Sequence, residues 1–199
     1  SNFAVYIEST AAMRQIDRHL LNVFRTNIAI CGENIGLVER LRKAAYVDTL
    51  THLPNRAAQI EAIDELAEKA PSGNHVLALI DIDHFSELND ALGHQKGDQL
   101  LLAVAERLVG MVSQNMVLAR IGGDVFGLLG PDDALDPRRL LEQFTLPFSV
   151  GEYSLPIKAT LGLTHLDSAG GGDGIDLLKA TNIALNRAKS GDRGRWHYY

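Results

Sequence analysis

Two adjacent glycines between two apolar runs constrain the fold of this chain most strongly. Gly122 and Gly123 separate the run 116–121 from the run 125–129, and Asp124 follows the glycines. Glycine accepts the positive φ angles that tight β-turns require, so this pattern predicts a β-hairpin. Because a tight hairpin joins antiparallel strands, a sheet that contains it cannot be wholly parallel.

The segments around the hairpin alternate between strand-like and helical patterns. Interleaved strands and helices around an antiparallel pair indicate an α+β fold, with a mixed central sheet and helices on its faces. Further strands are predicted at 75–80, 148–150, 155–166 and 195–199, and helices at 55–70, 85–91, 97–111, 137–144 and 175–190.

A proline-free segment at 9–47 predicts a long N-terminal helix. Its apolar residues recur in two columns with alternating spacings of four and three, which is typical of a coiled-coil seam. These heptad residues are Ile16, Val23, Ile30, Leu37 and Ala44 in one column, and Leu20, Asn27, Asn34 and Leu41 in the other. Asn27 and Asn34 interrupt one column, and asparagine at such positions fixes the register of a parallel dimer. The helix either pairs with a second copy or is the last helix of an upstream domain. We therefore divide the chain into a helical linker, 1–47, and a second domain, 48–199.

Composition excludes several function classes. The net charge of −6 over 199 residues gives no overall positive field for a nucleic acid. The single cysteine, Cys31, cannot form an internal disulfide, and no apolar run approaches the roughly 18 residues of a membrane span. We expect a cytoplasmic chain with neither nucleic acid nor membrane as a partner.

Acidic residues stand at two predicted strand ends. Asp81 and Asp83 follow the apolar run 75–80, and Asp124 lies in the predicted hairpin turn. If these strands are neighbours, Asp81 and Asp124 converge at one edge of the sheet. Such a pair suits Mg²⁺, which is usually held by one or two carboxylates plus substrate phosphates, and phosphoryl or nucleotidyl transfer would be the matching chemistry. Ordinary turn positions also explain Asp81, Asp83 and Asp124, and spacing alone favours that explanation.

Polar groups that could bind a nucleotide lie further along the chain. The amide of Asn89 and the carboxylate of Asp98 could read the edge of guanine, although Asp98 could also be the N-cap of the next helix. Lys189 and Arg193 could donate charge-assisted bonds to phosphate, although cations at a helix C-terminus also offset its dipole. The sequence contains no GxSxG, Walker A or GxGxxG motif.

Taken together, these motifs resemble the GGDEF family, whose diguanylate cyclases join two GTP molecules into cyclic di-GMP. The resemblance covers 48–195 and implies a palm-like fold related to nucleotide cyclases and ferredoxin-like domains. The matching pieces are Asp48-x-Leu-Thr-x-Leu-Pro-Asn-Arg56, Asp81-x-Asp-x-Phe85, Asn89-Asp90-x-x-Gly93-His94-x-x-Gly97-Asp98, Arg120-x-Gly122-Gly123-Asp124-x-Phe126 and Ala184-Leu185-x-x-Ala188-Lys189-x-x-Gly191.

The resemblance implies a role for each candidate residue. Asp81, Asp124 and the backbone carbonyl of Ile82 would hold Mg²⁺ or Mn²⁺ together with GTP. The implied nucleotide contacts are Asn89 and Asp98 to guanine, Lys189 and Arg193 to the phosphates, and Gly122 and Gly123 as an unobstructed backbone approach.

Three departures from the family pattern bear on activity. Val125 stands where the family has the Glu of its signature, and Ser86 stands where it usually has a phosphate-contacting Lys. Both changes delete charge from the same reaction, so we expect no cyclase activity and a vestigial role for Asp124. Residues 113–116 also lack the Arg-x-x-Asp product-inhibition site of many members.

Three functions remain open at this point. The departures favour a degenerate GGDEF domain of a bacterial cyclic di-GMP signalling protein. It would be a GTP-binding regulatory module for an adjacent EAL-type phosphodiesterase domain, a homodimer linked by its signalling helix to an upstream sensor. An active diguanylate cyclase releasing pyrophosphate is the second possibility. A structural or dimerisation module that binds no nucleotide is the third.

Overall fold

The computed structural model describes residues 15–69, 74–169, 173–191 and 193–199. Helices and strands alternate as predicted. The α-helices within these residues are α1 Gln15–Tyr46, α2 Arg56–Lys69, α3 Phe85–Leu92, α4 His94–Val109, α5 Pro137–Glu142 and α6 Gly174–Lys189. The strands are β1 His75–Ile82, β2 Val117–Gly122, β3 Val125–Pro131, β4 Phe148–Val150, β5 Tyr153–Leu155, β6 Ala159–His165 and β7 Trp196–Tyr198.

Five of these strands form one mixed sheet in the order β2-β3-β1-β6-β7. The β1–β3, β1–β6 and β2–β3 pairs are antiparallel, whereas β6 and β7 are parallel. The remaining two strands, β4 and β5, form a separate antiparallel pair. The predicted α+β class with a mixed sheet flanked by helices is therefore confirmed.

The central strand β1 is buried on both faces, which explains its continuous apolar run 76–80. Ile80 and Ile82 pack into one hydrophobic cluster, which includes residues of α4. Leu77 and Leu79 pack into the other cluster, with residues of α2 and α6. Because side chains alternate along a strand, Asp81 lies on the α2/α6 face.

Helix α6 lies directly on the sheet because Gly162 of β6 has no side chain. A Cβ at this position would overlap the backbone of Leu185 and the carbonyl of Thr181. The close approach fixes the path of α6 along the sheet. Its last residue, Lys189, thereby comes to the end of β1 where Asp81 lies.

Three local predictions were wrong. The predicted strand 155–166 is two strands in different sheets, because the chain leaves β5 at Leu155 and enters β6 only at Ala159, beyond Pro156. Proline lacks the N–H that a ladder needs. Helix α4 begins at His94 rather than at residue 97. The hairpin turn consists of Gly123 and Asp124, since Gly122 still pairs with Val125.

The contacts divide the chain between Lys43 and Ala44 into two compact units. In the first unit, α1 exposes the predicted heptad residues; the predicted helix start at residue 9 lies outside the described residues. The exposed large apolar residues of α1 are Ile16, Leu20, Val23, Phe24, Ile28, Ile30, Ile35, Leu37, Val38 and Leu41. None of the helices in the described part of the chain has the length and hydropathy needed to cross a membrane.

Candidate functional site

Two buried carboxylates occupy the end of β1. Asp81 is 3% exposed and stands in register between Val125 of β3 and Thr160 of β6. Asp83 is 5% exposed, and its backbone N–H donates to the carbonyl of Lys158 at 2.9 Å. Buried carboxylates need partners, so the groups around them define the site.

Lys189 is the partner of Asp81. Its Nζ donates to Asp81 Oδ2 at 2.5 Å, and its side chain remains 30% exposed. Burial raises the pKa of Asp81, while the hydrogen bond from Lys189 acts against this and repulsion from Asp124 and Asp83 adds to it. The pair links the last turn of α6 to the central strand of the sheet.

Thr160 and Arg193 are the partners of Asp83. Thr160 Oγ1 donates to Asp83 Oδ1 at 2.8 Å, and Arg193 Nη1 lies 3.9 Å from the same oxygen. The backbone N–H of Gly194 donates to Thr160 Oγ1 at 3.1 Å, which anchors the chain between α6 and β7 next to Asp83. The second oxygen, Asp83 Oδ2, is buried without a hydrogen-bond partner within the described residues.

The hairpin turn brings Asp124 to the same end of the sheet. Its backbone carbonyl accepts a hydrogen bond from the N–H of Ile82 at 3.2 Å. Gly123 has φ 56° and Gly122 has φ 149°, conformations that favour glycine. The structure therefore brings together Asp81, Ile82 and Asp124, the three residues expected around a metal.

Arg120, for which the sequence predicted no role, holds this turn in place. Its guanidinium donates to the carbonyl of Gly123 at 3.1 and 2.8 Å and to Asp48 Oδ1 at 3.0 Å. Burial raises the pKa of Asp48, but hydrogen bonds from Thr51 and Arg120 outweigh it, so the pKa is lowered overall. The motif 48–56 thus stabilises the signature hairpin, because its Asp48 accepts a hydrogen bond from Arg120. One signal in the sequence could have pointed to this contact, since Asp48 and Arg120 each belong to one of the quoted motifs.

The two predicted guanine contacts lie on neighbouring helices. Asn89 is in α3, and its Oδ1 is buried without a partner within the described residues. Gly97 of α4 faces it, and a Cβ there would overlap Asn89 Oδ1. Asp98 is exposed and is the fifth residue of α4, whose N-cap is Gly93, so the N-cap alternative for Asp98 was wrong. A buried amide oxygen without a partner among the described residues, next to an exposed carboxylate on the following helix, is consistent with binding an outside polar group.

Val125 and Ser86 put no charge on this site. Val125 is half-buried and packs against the hydrophobic cluster under α2 and α6. It also lines a groove of about 300 Å³, together with Leu79 and Leu178. Ser86 is exposed in the first turn of α3.

The donor set does not fit a divalent cation held by the protein. Asp81 and Asp124 supply the carboxylates, but Asp81 is already ion-paired with Lys189, and Val125 cannot coordinate. Within the described residues, no group of three or more His, Cys, Asp or Glu side chains is placed to hold a metal ion. Mg²⁺ prefers a full set of oxygen ligands, and here water or a nucleotide would have to supply most of them.

Comparison with known proteins agrees with this geometry. The family model described as "Diguanylate cyclase, GGDEF domain" matches residues 45–195. The chain belongs to the GGDEF family. GGDEF domains act in cyclic di-GMP signalling and typically use a divalent metal with GTP. A second model, a domain of unknown function (DUF3369), matches residues 1–41.

Relatives of this GGDEF domain include proteins named for opposite activities. The chain is 36% identical over 166 residues to the diguanylate cyclase DgcP of Pseudomonas aeruginosa. It is 34% identical over 163 residues to the cyclic di-GMP phosphodiesterase PdeR of Escherichia coli. Each match covers 79% of this chain but only 24% of the relative. The chain thus corresponds to about a quarter of these longer proteins.

A solved structure shows the same fold. The coiled coil and GGDEF domain of DgcB from Caulobacter crescentus, in complex with c-di-GMP, superposes with a TM-score of 0.75 at 24% identity. The match covers 90% of this chain and 99% of DgcB's. At this identity the likeness concerns the fold, and it agrees with the predicted palm-like sheet and N-terminal helix.

Proposed function

We propose that this GGDEF domain is a non-catalytic, GTP-binding regulatory module of a cytoplasmic cyclic di-GMP signalling protein. Val125 carries the proposal. It stands directly opposite Asp81 in the β1–β3 register, so an apolar side chain occupies the place of the signature Glu. Without that carboxylate the site lacks a group that would balance charge in the transition state.

Nucleotide binding is supported by the polar groups that remain. Asn89 has a buried, unpaired Oδ1 among the described residues, and Asp98 is exposed on the next helix. We assign these two side chains to guanine. Lys189 and Arg193 keep exposed fractions of 30% and 41%, so both can contact phosphates while holding Asp81 and Asp83. The exposed backbone of Gly122 and Gly123 leaves an open approach to the turn.

We further propose that the module works beside other domains of a longer chain. One relative is a named phosphodiesterase, and the match spans 24% of it, which is consistent with an adjacent EAL-type domain. The separate family match at residues 1–41 is consistent with an upstream sensor. The exposed heptad residues of α1 support a homodimer, in which the linker 1–47 passes the signal to 48–199.

Two measurements on the purified chain test the function. The first is cyclic di-GMP formation from GTP, with Mg²⁺ and with Mn²⁺, for the wild type and Val125→Glu. The second is binding of mant-GTP, a fluorescent GTP, with Asn89→Ala as the variant that removes a base contact. We expect no product from the wild type, saturable mant-GTP binding, and at least about tenfold weaker binding by Asn89→Ala, equivalent to about 1.4 kcal/mol.

The outcomes separate the three candidate functions. Product from the wild type would make the domain an active diguanylate cyclase. No product and no binding at millimolar nucleotide would leave the structural module. Binding without product, together with product from Val125→Glu, would show a site that lacks only one ligand.

A further inference from the structure

We propose that nucleotide binding by this domain does not depend on a divalent cation, because the Lys189 ammonium takes the place of a metal ion at Asp81. The inference rests on the proposed function, since it concerns the nucleotide of the same site. It arises from the disagreement between the metal that the family uses and the donors that this chain offers.

Position 125 carries a valine where the family signature has a carboxylate. Residues directly opposite on antiparallel strands point to the same face, with Cβ atoms about 5 Å apart. A Glu at position 125 would therefore place a second carboxylate next to Asp81. Val125 instead packs against the apolar cluster of the α2/α6 face. A cation at Asp81 consequently has one anionic neighbour fewer.

Asp81 is already bound to an ammonium group. Lys189 Nζ lies 2.5 Å from Asp81 Oδ2, and the carboxylate is buried. A divalent cation at this oxygen would have to displace an ion pair inside a buried environment, where such pairs are costly to break. An ammonium has three N–H donors, so Lys189 can hold Asp81 and still donate to a phosphate oxygen.

A phosphate at this site would meet two cations that are each close to a buried carboxylate. Lys189 is paired with Asp81, and Arg193 lies 3.9 Å from Asp83. Asp124 is the carboxylate of this cluster for which the described residues show no ion pair. Lys189 and Arg193 offset the charges of Asp81 and Asp83, so no metal ion is needed at these two carboxylates when phosphates bind.

Binding of mant-GTP to the intact chain, followed by fluorescence anisotropy in excess EDTA and in millimolar Mg²⁺, tests this inference. For the wild type we expect Kd values that agree within about threefold. Val125→Glu should bind at least about tenfold more tightly with Mg²⁺ than with EDTA, because its added carboxylate needs a cation. Lys189→Met should weaken binding in EDTA by about tenfold, with part of the loss recovered by Mg²⁺.

Lys179→Ala is the matched control, since Lys179 lies on the same helix in an exposed pair with Asp176. It should behave as the wild type in both conditions. Wild-type binding that requires Mg²⁺ would overturn this inference alone, whereas no binding in either condition would overturn the proposed function and this inference together. The wild-type comparison decides even if Val125→Glu does not fold, which circular dichroism would reveal.

Discussion

At the scale of single residues, the signature hairpin depends on a pair that is distant in sequence. Asp48 and Arg120 meet across 72 positions, and Arg120 in turn holds the carbonyl of Gly123. The side chains of the pair are 21% and 12% exposed. Partial burial makes such an ion pair more valuable than a surface pair, because removing one partner leaves the other without compensation.

Asp48→Asn should lower the free energy of unfolding at pH 7 by about 1–3 kcal/mol. The folded-state pKa of Asp48 is lowered below 3.8, so its contribution is complete above the unfolded-state pKa and disappears as the pH falls through the folded-state pKa. The difference between wild type and variant should therefore shrink below about pH 4. Urea unfolding across this range provides the measurement.

Glu65→Gln is the control for this pH series. Glu65 pairs with Lys69 on the surface of α2, where the two side chains are 58% and 71% exposed. Its loss should change stability by no more than about 0.5 kcal/mol. A difference for Asp48→Asn that stays constant down to pH 2 would contradict the role given to its ionised carboxylate.

The sequence predicted most residues of the site but not the contacts between them. Asp81, Asp124 and Lys189 were expected at one site because the motifs name them, yet the Lys189–Asp81 pair joins residues 108 positions apart. No local pattern encodes such a separation. The N-cap alternative for Asp98 rested on local sequence alone. It was wrong because α4 begins at His94, four residues before Asp98.

At the scale of secondary-structure elements, apolar periodicity predicted the helices and the buried strand well. The break between β5 and β6 was missed because the apolar residues continue across it, and a proline alone does not say which sheet each half joins. No pattern in the sequence predicted the close contact between α6 and β6. It depends on Gly162, whose missing side chain admits the helix backbone.

Gly162→Ala should therefore push α6 away from the sheet. We expect a loss of about 1–3 kcal/mol in unfolding free energy from overpacking. Because Lys189 ends the same helix, mant-GTP binding should weaken as well. Gly110→Ala is the control, since Gly110 has φ −62° and a Cβ there would make only ordinary contacts. Calorimetry and fluorescence anisotropy on both variants provide the measurements. Wild-type stability and affinity in Gly162→Ala would contradict the role given to Gly162.

At the scale of the whole molecule, the proposed homodimer depends on the long helix α1. Asn27 and Asn34 are both exposed and fall in one column of its heptad pattern. Buried asparagines at such positions cost stability but restrict the number and register of the strands. The proposed signalling role requires this restriction, since a helix that changed its partners freely could not transmit a defined geometry.

Replacing both Asn27 and Asn34 with Leu should stabilise the assembly and broaden its stoichiometry. Each leucine buried in the seam would contribute about 1.5–3 kcal/mol. Analytical ultracentrifugation should show a dimer for the wild type and larger species for the double variant, with a higher melting temperature. Asn22→Leu, on the opposite side of the helix, should leave both properties unchanged. A wild-type chain that sediments as a monomer at high concentration would show that this seam does not join two copies, and the regulatory geometry would then have to come from another partner.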